Sequence, residues 1–546
     1  MSCAKRLRLI FQLEWGVALL ITAVVIWLDI NYARHAGVLW RDEINSLSMA
    51  TYSSLQTTWE RLQFDSFPML WYLVLREWVK AGMARIDAGF RIFGLLVNVA
   101  ILGILWLNAW RMSRRPPLVA LTLLGANATV MMYCGSVRGY GLGLVFGLWM
   151  YGAVWAYLVR PTAVRWAVAL LAALLACHTL YYNCVFVGAA CLAGTAVALC
   201  RRQQRVALWI LALGAATALT LLIYVPTFRS SGDWRSMYVY SGGFIWLFFK
   251  FAQAVMLAGV VMLPVWMIVP LYGTVGGFIT WSRARVAAQN TALDQITLSG
   301  QPGLALFSAM SILLGLIGNV LFLRLLSYVM QPWYFLSLMA VLAAGADAVQ
   351  CAAPSGRGFR VLGVALAAVG LTSILFVPLR LWSVTRRTSV DKIAQVVEQS
   401  AGKADYIILT DWNSSISFYR YYRGSTPWQT LPPLPPNARD IHRGDLVFKL
   451  MTRGDVLGPV FDSVTQTLHD EHRVFYIGKL PLRWPSEHPR LYFSRRAEEH
   501  NPLTPVEDWR YELMETVHGV SVRLLYVRGV AVTEFPLASR YWTDPA

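Results

Sequence analysis

The chain has 546 residues, 57% of them hydrophobic and 14% charged, with a formal net charge of +18. Charged residues make up about a quarter of an ordinary globular domain, so this composition excludes a soluble fold for most of the length. Position argues against nucleic acid as the partner of the positive charge. Lys5-Arg6-Arg8, Arg111-Arg114-Arg115, Arg201-Arg202-Arg205, Arg283-Arg285 and Arg357-Arg360 stand at the ends of apolar runs, the positive-inside pattern of a membrane protein.

The first apolar run, Leu9 to Leu28, follows a basic start. It is long for a signal peptide and no A-x-A site follows, which predicts an uncleaved signal anchor that leaves the membrane near Asp29. In the next segment Ile44, Leu47, Leu55, Trp59 and Leu62 recur at helical spacing, and "FPMLWYLVL", Phe67 to Leu75, is too short to cross a bilayer. Trp40, Trp59, Trp71 and Trp78 suit the headgroup level, so the first external loop, residues 31–89, reads as two helices lying on the membrane. Spans are then predicted at 90–110, 117–135, 140–159, 164–180, 182–200, 206–226, 253–281, 303–322, 325–347 and 360–381, about eleven with the first. An odd number from an inside N-terminus leaves the tail outside and every basic cluster inside. Gly243–Trp281 admits one span plus an interfacial helix, or two short spans around Pro264 and Pro270.

From residue 383 the composition changes. "SVDKIAQVVEQSAGKADYIILTDW" reads as amphipathic helix, turn and buried strand; "VTQTLHDEHRVFYIG" repeats helix and strand, and "SVRLLYVRGV" is a further strand. The expected fold is a polytopic α-helical membrane domain, residues 1–382, followed by an extracytoplasmic α/β domain, residues 383–546, with "TLPPLPPNARD" as a surface loop. Cys134, Cys177, Cys184, Cys191 and Cys200 lie in or beside apolar runs and none follows Cys351, so no disulfide framework is expected in the tail.

Polar residues gather at the external ends of different spans. "WRDEINSL" carries Asp42 and Glu43, "CGSVRGYG" carries Arg138 and Tyr140, "CHTLYYN" carries His178, Tyr182 and Asn183, and "RLLSYVMQPWY" carries Arg324, Gln331 and Tyr334. A bundle can bring such residues around one cavity, and polar groups at membrane depth usually line one. Each also has a plainer reading. Asp42 is placed to cap a helix beginning near Ile44, with Glu43 favoured by its dipole; Arg138 can snorkel, and His178 can be structural. Gly139, Gly143 and Gly147 have small-residue packing spacing, and "DIHRGD" (Asp440, His442, Asp445) reads as a solvated loop in preference to a metal site. Together the polar ends suit transfer of a group from a lipid phosphate to a hydroxyl. A carboxylate would act as general base, worth about 10²–10⁴ in rate, and Arg138 or Arg324 would stabilise the departing phosphate.

Over roughly residues 1–381 the chain resembles the GT-C membrane glycosyltransferases, and within them the bacterial relatives of protein O-mannosyltransferases and the lipid A aminoarabinose transferase. "WRDEINSL" is similar to that group's Asp-Glu motif, and "FDSFPMLWYLVL" to its Asp-x-His-Pro-Pro-Leu segment, with Phe67 and Met69 replacing the histidine and the second proline. "SVRGYGLGL" and "CHTLYYNCVF" stand where such proteins carry an Arg-x-Tyr motif and a His/Tyr-rich span end. The resemblance implies an inverting enzyme of the cell (inner) membrane that uses a polyprenyl-phosphate-linked sugar on the external face. It makes Asp42 the catalytic base. Glu43, Asp65, Arg138 and His178 become candidates for binding donor phosphate, acceptor or a divalent metal ion, and Tyr140, Tyr182 and Arg324 complete the expected substrate contacts. Membrane lipids and a lipid, glycan or protein acceptor are the implied partners.

Three other readings compete. A polysaccharide ligase relies on a large late external loop that this sequence lacks. A transporter or flippase of lipid-linked sugars places ionisable groups near the midplane and shows inverted repeats; here Glu14 is the only acid expected well inside a span, and no repeat is visible. A binding module built on the tail would leave the polar span ends unexplained.

Overall fold

A helix satisfies every backbone polar group within its own segment, so an apolar run in hydrocarbon has little other choice. The computed structural model describes residues 3–83, 86–231, 243–257, 259–289, 300–326, 330–352, 363–370, 372, 379–409, 412–450 and 456–478. Among them, eight helices are long and apolar enough to cross a membrane: Phe11–His35, Asp87–Ser113, Tyr140–Val159, Asn183–Cys200, Gln204–Ser230, Met262–Ala287, Gln301–Leu326 and Pro332–Ala352. Ala163–Thr179 and Phe244–Met256 are shorter apolar helices. The chain is a multi-pass helical membrane protein with an α/β element pattern in its tail. It divides into two compact units: Met1–Ala36, Phe67–Val225 and Tyr240–Thr385 form one, and Gly37–Ser66, Pro226–Val239 and Arg386–Ala546 the other.

In the first unit the expected span at 117–135 is broken. Leu118–Ala120 is helical, and Leu121–Gly125 and Val130–Cys134 are wide π turns separated by Ala126–Thr129. Asn127 makes the break, because its Oδ1 accepts the Thr129 and Val130 N–H groups and restarts the helix (2.8 and 3.3 Å). Irregular backbone at this depth is tolerated where protein surrounds it, and every residue from Leu118 to Thr129 is buried. The stretch 243–281 resolves as Phe244–Met256 and Met262–Gln289. The two helices are separated at Gly259, whose φ of +123° suits glycine alone, and Pro264 and Pro270 both lie inside the second helix. The run expected at 325–347 begins instead at Pro332, a favoured first helical residue, and extends to Ala352. Of the last expected span, residues 363–370 are helical, and most of the remainder lies outside the described residues.

The helices also run further than hydropathy marks, which places two more acids inside them. α1, Cys3–His35, continues past Leu28, so Asp29 is internal; its Oδ1 accepts from Asn98 Nδ2 at 2.9 Å. Asp347, within Leu336–Ala352, accepts the Val119 and Ala120 N–H groups and so caps the short helix at residue 118 (2.9 and 3.2 Å). Glu14 is therefore not the only carboxylate inside a span. Polar ties and close approach hold the helices together. Asn183 Nδ2 donates to the Gly143 and Ala176 carbonyls while its Oδ1 accepts from Ser337 (2.8, 3.1 and 2.8 Å). A Cβ on Gly94 would stand 1.8 Å from the Gly135 carbonyl oxygen, and one on Gly143 2.7 Å from Leu180 Cβ.

In the second unit the segment expected as one helix is two: α2, Arg41–Ala50, and α3, Leu55–Arg61. Ser54 starts α3 by accepting the Thr57 N–H, and Leu55 is about half exposed, so the apolar stripe is interrupted where the chain turns. The following helix, α4 (Met69–Lys80), belongs to the first unit. The tail contributes three parallel strands, β1 (Tyr406–Leu409), β2 (Trp428–Thr430) and β3 (Val474–Ile477), in the order β2-β1-β3. Parallel neighbours need crossover connections, and the helices Ser415–Tyr421, Gly444–Leu450 and Gly458–His469 lie in them. β1 is covered on both faces. Ile407 and Leu409 pack with Ile393, Val397 and Phe418, and Ile408 with Leu431, Leu434, Val447 and Val464. The Pro-rich segment is thus no surface loop, since Leu431 and Leu434 are fully buried. The expected strand "SVRLLYVRGV" lies outside the described residues.

Candidate functional site

α2 starts with Trp40 as its N-cap, which leaves Asp42 inside the first turn and not at the cap. Glu43 does the capping work: its side chain is fully buried and Oε2 accepts the Trp40 N–H at 2.8 Å, the returning half of a capping box. Asp42 keeps a partly open carboxylate, 19% exposed, with Oδ1 3.3 Å from Arg41 Nε and 3.4 Å from His442 Nε2. Asp65 is buried, accepting from Ser46 Oγ at 3.1 Å and from the Ser66 N–H at 2.7 Å.

Around Asp42 the tail supplies residues that no sequence pattern tied to it. The His442 N–H donates to Asn45 Oδ1 (2.9 Å) on α2, and His442 Nδ1 lies 3.0 Å from Asn413 Oδ1. Arg443 forms a two-pronged pair with Asp445 (2.8 and 2.8 Å) and lies 5.0 Å over the Phe64 ring. The hydrogen bonds that the Arg443 guanidinium donates to Asp445 hold it above its ordinary value. Burial, then the Asp440 charge, pushes the Tyr52 phenol up to about 12. "DIHRGD" is therefore an anchored element, not a solvated loop. The link at its base is equally specific: Arg386 pairs bidentately with Asp391 (2.8 and 2.7 Å), and Arg387 stacks 4.4 Å over Trp40.

The first unit holds the remaining candidates. The Arg138 guanidinium is buried 4.4 Å over the Phe67 ring, and Phe67 meets Tyr140 edge-on at 4.9 Å. Gly139 permits this packing, because a Cβ there would stand 2.5 Å from Phe67 Cδ1. His178 is held at both ring nitrogens, Nδ1 by the Tyr224 hydroxyl (3.0 Å) and Nε2 by Thr220 Oγ1 (2.9 Å). Tyr224 in turn accepts the Met69 N–H at 3.3 Å, so the Phe67–Met69 segment joins the Arg138 and His178 neighbourhoods. Tyr182 stacks on Tyr334 at 5.2 Å. Arg324 is exposed near the end of its helix and lies 5.7 Å over Phe244. Two crevices in this unit, of about 670 Å³ beside Trp15 and Trp110 and about 300 Å³ beside Ile268 and Val349, are lined by none of these candidates. Among the described residues no group of three or more His, Cys, Asp or Glu side chains is arranged to hold a metal ion.

No family model matches the sequence, and no curated protein matches it. Among solved structures, the chain is similar to a crystal structure of ArnT from Cupriavidus metallidurans bound to undecaprenyl phosphate. The identity is 13%, the match covers 86% of this chain and 96% of that one, and the TM-score is 0.49. The apo state of the same protein is similar at 14% identity, covering 88% and 97% of the two chains with a TM-score of 0.47.

Proposed function

We propose that the chain is a GT-C-type membrane glycosyltransferase of the cell (inner) membrane. It moves a sugar from a polyprenyl-phosphate donor to a hydroxyl on a lipid, glycan or protein acceptor, at the external face, where the C-terminal domain also lies. The observation that carries this reading is Asp42: beside the taken-up carboxylates of Glu43 and Asp65, it keeps a partly exposed side chain on a helix whose start is fixed by Glu43. As the acceptor oxygen attacks the anomeric carbon, Asp42 takes its proton and the carbon–phosphate oxygen bond breaks, which inverts the centre. The phosphate leaves without an acid because it is already a good leaving group. Arg138 and Arg324 are assigned to the charge on that phosphate, and Tyr140, His178 and Tyr182 to the lining of the substrate path; Glu43 and Asp65 keep α2 in place.

The test is mass spectrometry of surface glycans and polyprenyl-linked sugars in a deletion strain complemented with wild type or Asp42→Asn. A modified product that returns with wild type alone, while a lipid-linked precursor accumulates with Asp42→Asn, supports the reading. Equal restoration by both removes it. Transport is the reading that Asp29 and Asp347 would favour, but their hydrogen bonds to Asn98 and to a helix start give them structural work. A lipid-linked sugar flux that persists in Asp42→Asn would restore that alternative.

A further inference from the structure

We propose that His442, its ring held by Asn413, takes over the proton that Asp42 withdraws from the acceptor. The inference rests on the transferase reading and adds a residue from the tail, about four hundred residues along the chain, that acts through Asp42. His442 is tied to α2 through its backbone: its N–H donates to Asn45 Oδ1 at 2.9 Å, and Asn45, one turn beyond Asp42, is fully buried. The ring is held from the other side, with Nδ1 3.0 Å from Asn413 Oδ1. An amide oxygen only accepts, so Nδ1 carries the hydrogen. In the neutral ring Nε2 then carries the lone pair, and it faces Asp42 Oδ1 at 3.4 Å. A neutral imidazole with the opposite tautomer would donate to Asp42 and compete with its use as a base. The Asn413 contact selects the tautomer that accepts.

The proton balance closes within these groups. The acceptor oxygen bonds to the anomeric carbon as the phosphate departs with the electron pair of the broken bond, and the hydroxyl proton passes to Asp42. From Asp42 it crosses to Nε2, which leaves an imidazolium beside a regenerated carboxylate, and water removes it before the next turnover. Arg41 Nε lies 3.3 Å from the same carboxylate oxygen. The Arg443–Asp445 pair next to the ring fixes the loop that presents it.

The experiment has two arms on full-length protein. Ring ¹⁵N spectra of [¹⁵N]histidine-labelled protein in lipid nanodiscs are recorded where the imidazoles are neutral, and His442→Gln identifies the His442 signals among the 8 histidines. The Nδ1–H tautomer is expected in wild type and the Nε2–H tautomer in Asn413→Leu; an Nε2–H signature in wild type overturns the proposal without any turnover being measured. In the second arm, membranes of the deletion strain, which hold the accumulated lipid-linked sugar, are mixed with purified full-length wild type or variant. His442→Gln retains a hydrogen-bonding side chain but cannot carry the proton, so kcat should fall about tenfold or more with KM unchanged. The Asp42→Asn/His442→Gln double variant should be no slower than Asp42→Asn. Wild-type turnover in a His442→Gln protein that melts like wild type overturns this inference alone, whereas wild-type turnover in Asp42→Asn overturns the transferase reading beneath it.

Discussion

Replacing Glu43 with alanine removes the group that starts the helix carrying Asp42. The carboxylate is fully buried and accepts the Trp40 N–H at 2.8 Å. Losing a hydrogen bond to a charged acceptor costs about 1.5–3 kcal/mol, and losing a carboxylate from the first turn costs about 0.3–1 kcal/mol more through the helix dipole. The start of α2 should therefore open more easily by about 2–4 kcal/mol, equivalent to roughly 30- to 1,000-fold in a local opening constant. Hydrogen exchange of full-length protein reads this at the Ile44 amide, which donates to the Trp40 carbonyl at 3.0 Å. Glu43→Gln keeps an acceptor oxygen and should lose protection by about 1 kcal/mol. If Ile44 exchanges in Glu43→Ala as slowly as in wild type, Glu43 is not what starts α2. If the glutamine variant is as damaged as the alanine variant, the acceptor is not the operative feature.

Phe67→Leu removes the ring beneath Arg138 and about 0.5–2 kcal/mol of cation–π attraction, so the donor KM in the membrane assay should rise about 2- to 30-fold with kcat little changed. Gly94→Ala should sharply reduce the melting temperature of the purified protein, because its Cβ would meet the Gly135 carbonyl oxygen at 1.8 Å, whereas Gly103→Ala, with open space around it, should melt like wild type. Burial alone would raise the Asp405 carboxyl, but hydrogen bonds from the Arg473 and Gly402 N–H groups and the Arg473 guanidinium outweigh it and hold the carboxyl below its ordinary value. Its stabilising contribution is then complete above the ordinary carboxylate range and is lost as pH falls through the lower folded value. Thermal melting should accordingly show a deficit for Asp405→Asn at pH about 5 that narrows as pH drops below about 4; a deficit independent of pH would refute the linkage.

Much of this architecture was legible before any coordinates. An apolar run of about 20 residues has one economical structure in a bilayer, so the long helices could be read directly, and the alternation of amphipathic helix and apolar strand after residue 383 announced an α/β tail. The stretch around Asp42 also stood out, because adjacent charges beside an apolar run demand an explanation. Hydropathy could not foresee the break at Asn127, where one side chain redirects two N–H groups, or the separation of two helices at Gly259, whose positive φ suits glycine. Nor could it place Leu431 and Leu434, which a Pro-rich context disguised as loop residues and packing put in the core.

Glu43 and His442 show where the boundary lies. An acidic first turn was legible from neighbours along one helix turn, although sequence reasoning assigned the cap to Asp42 and the structure assigns it to Glu43. The His442 backbone meets Asn45 across 397 residues, and its ring meets Asp42 through the same docking. Periodicity and propensity act over a few residues and determined the elements of this protein. Which distant side chains share a proton is decided only when the folded backbone brings them within hydrogen-bonding reach.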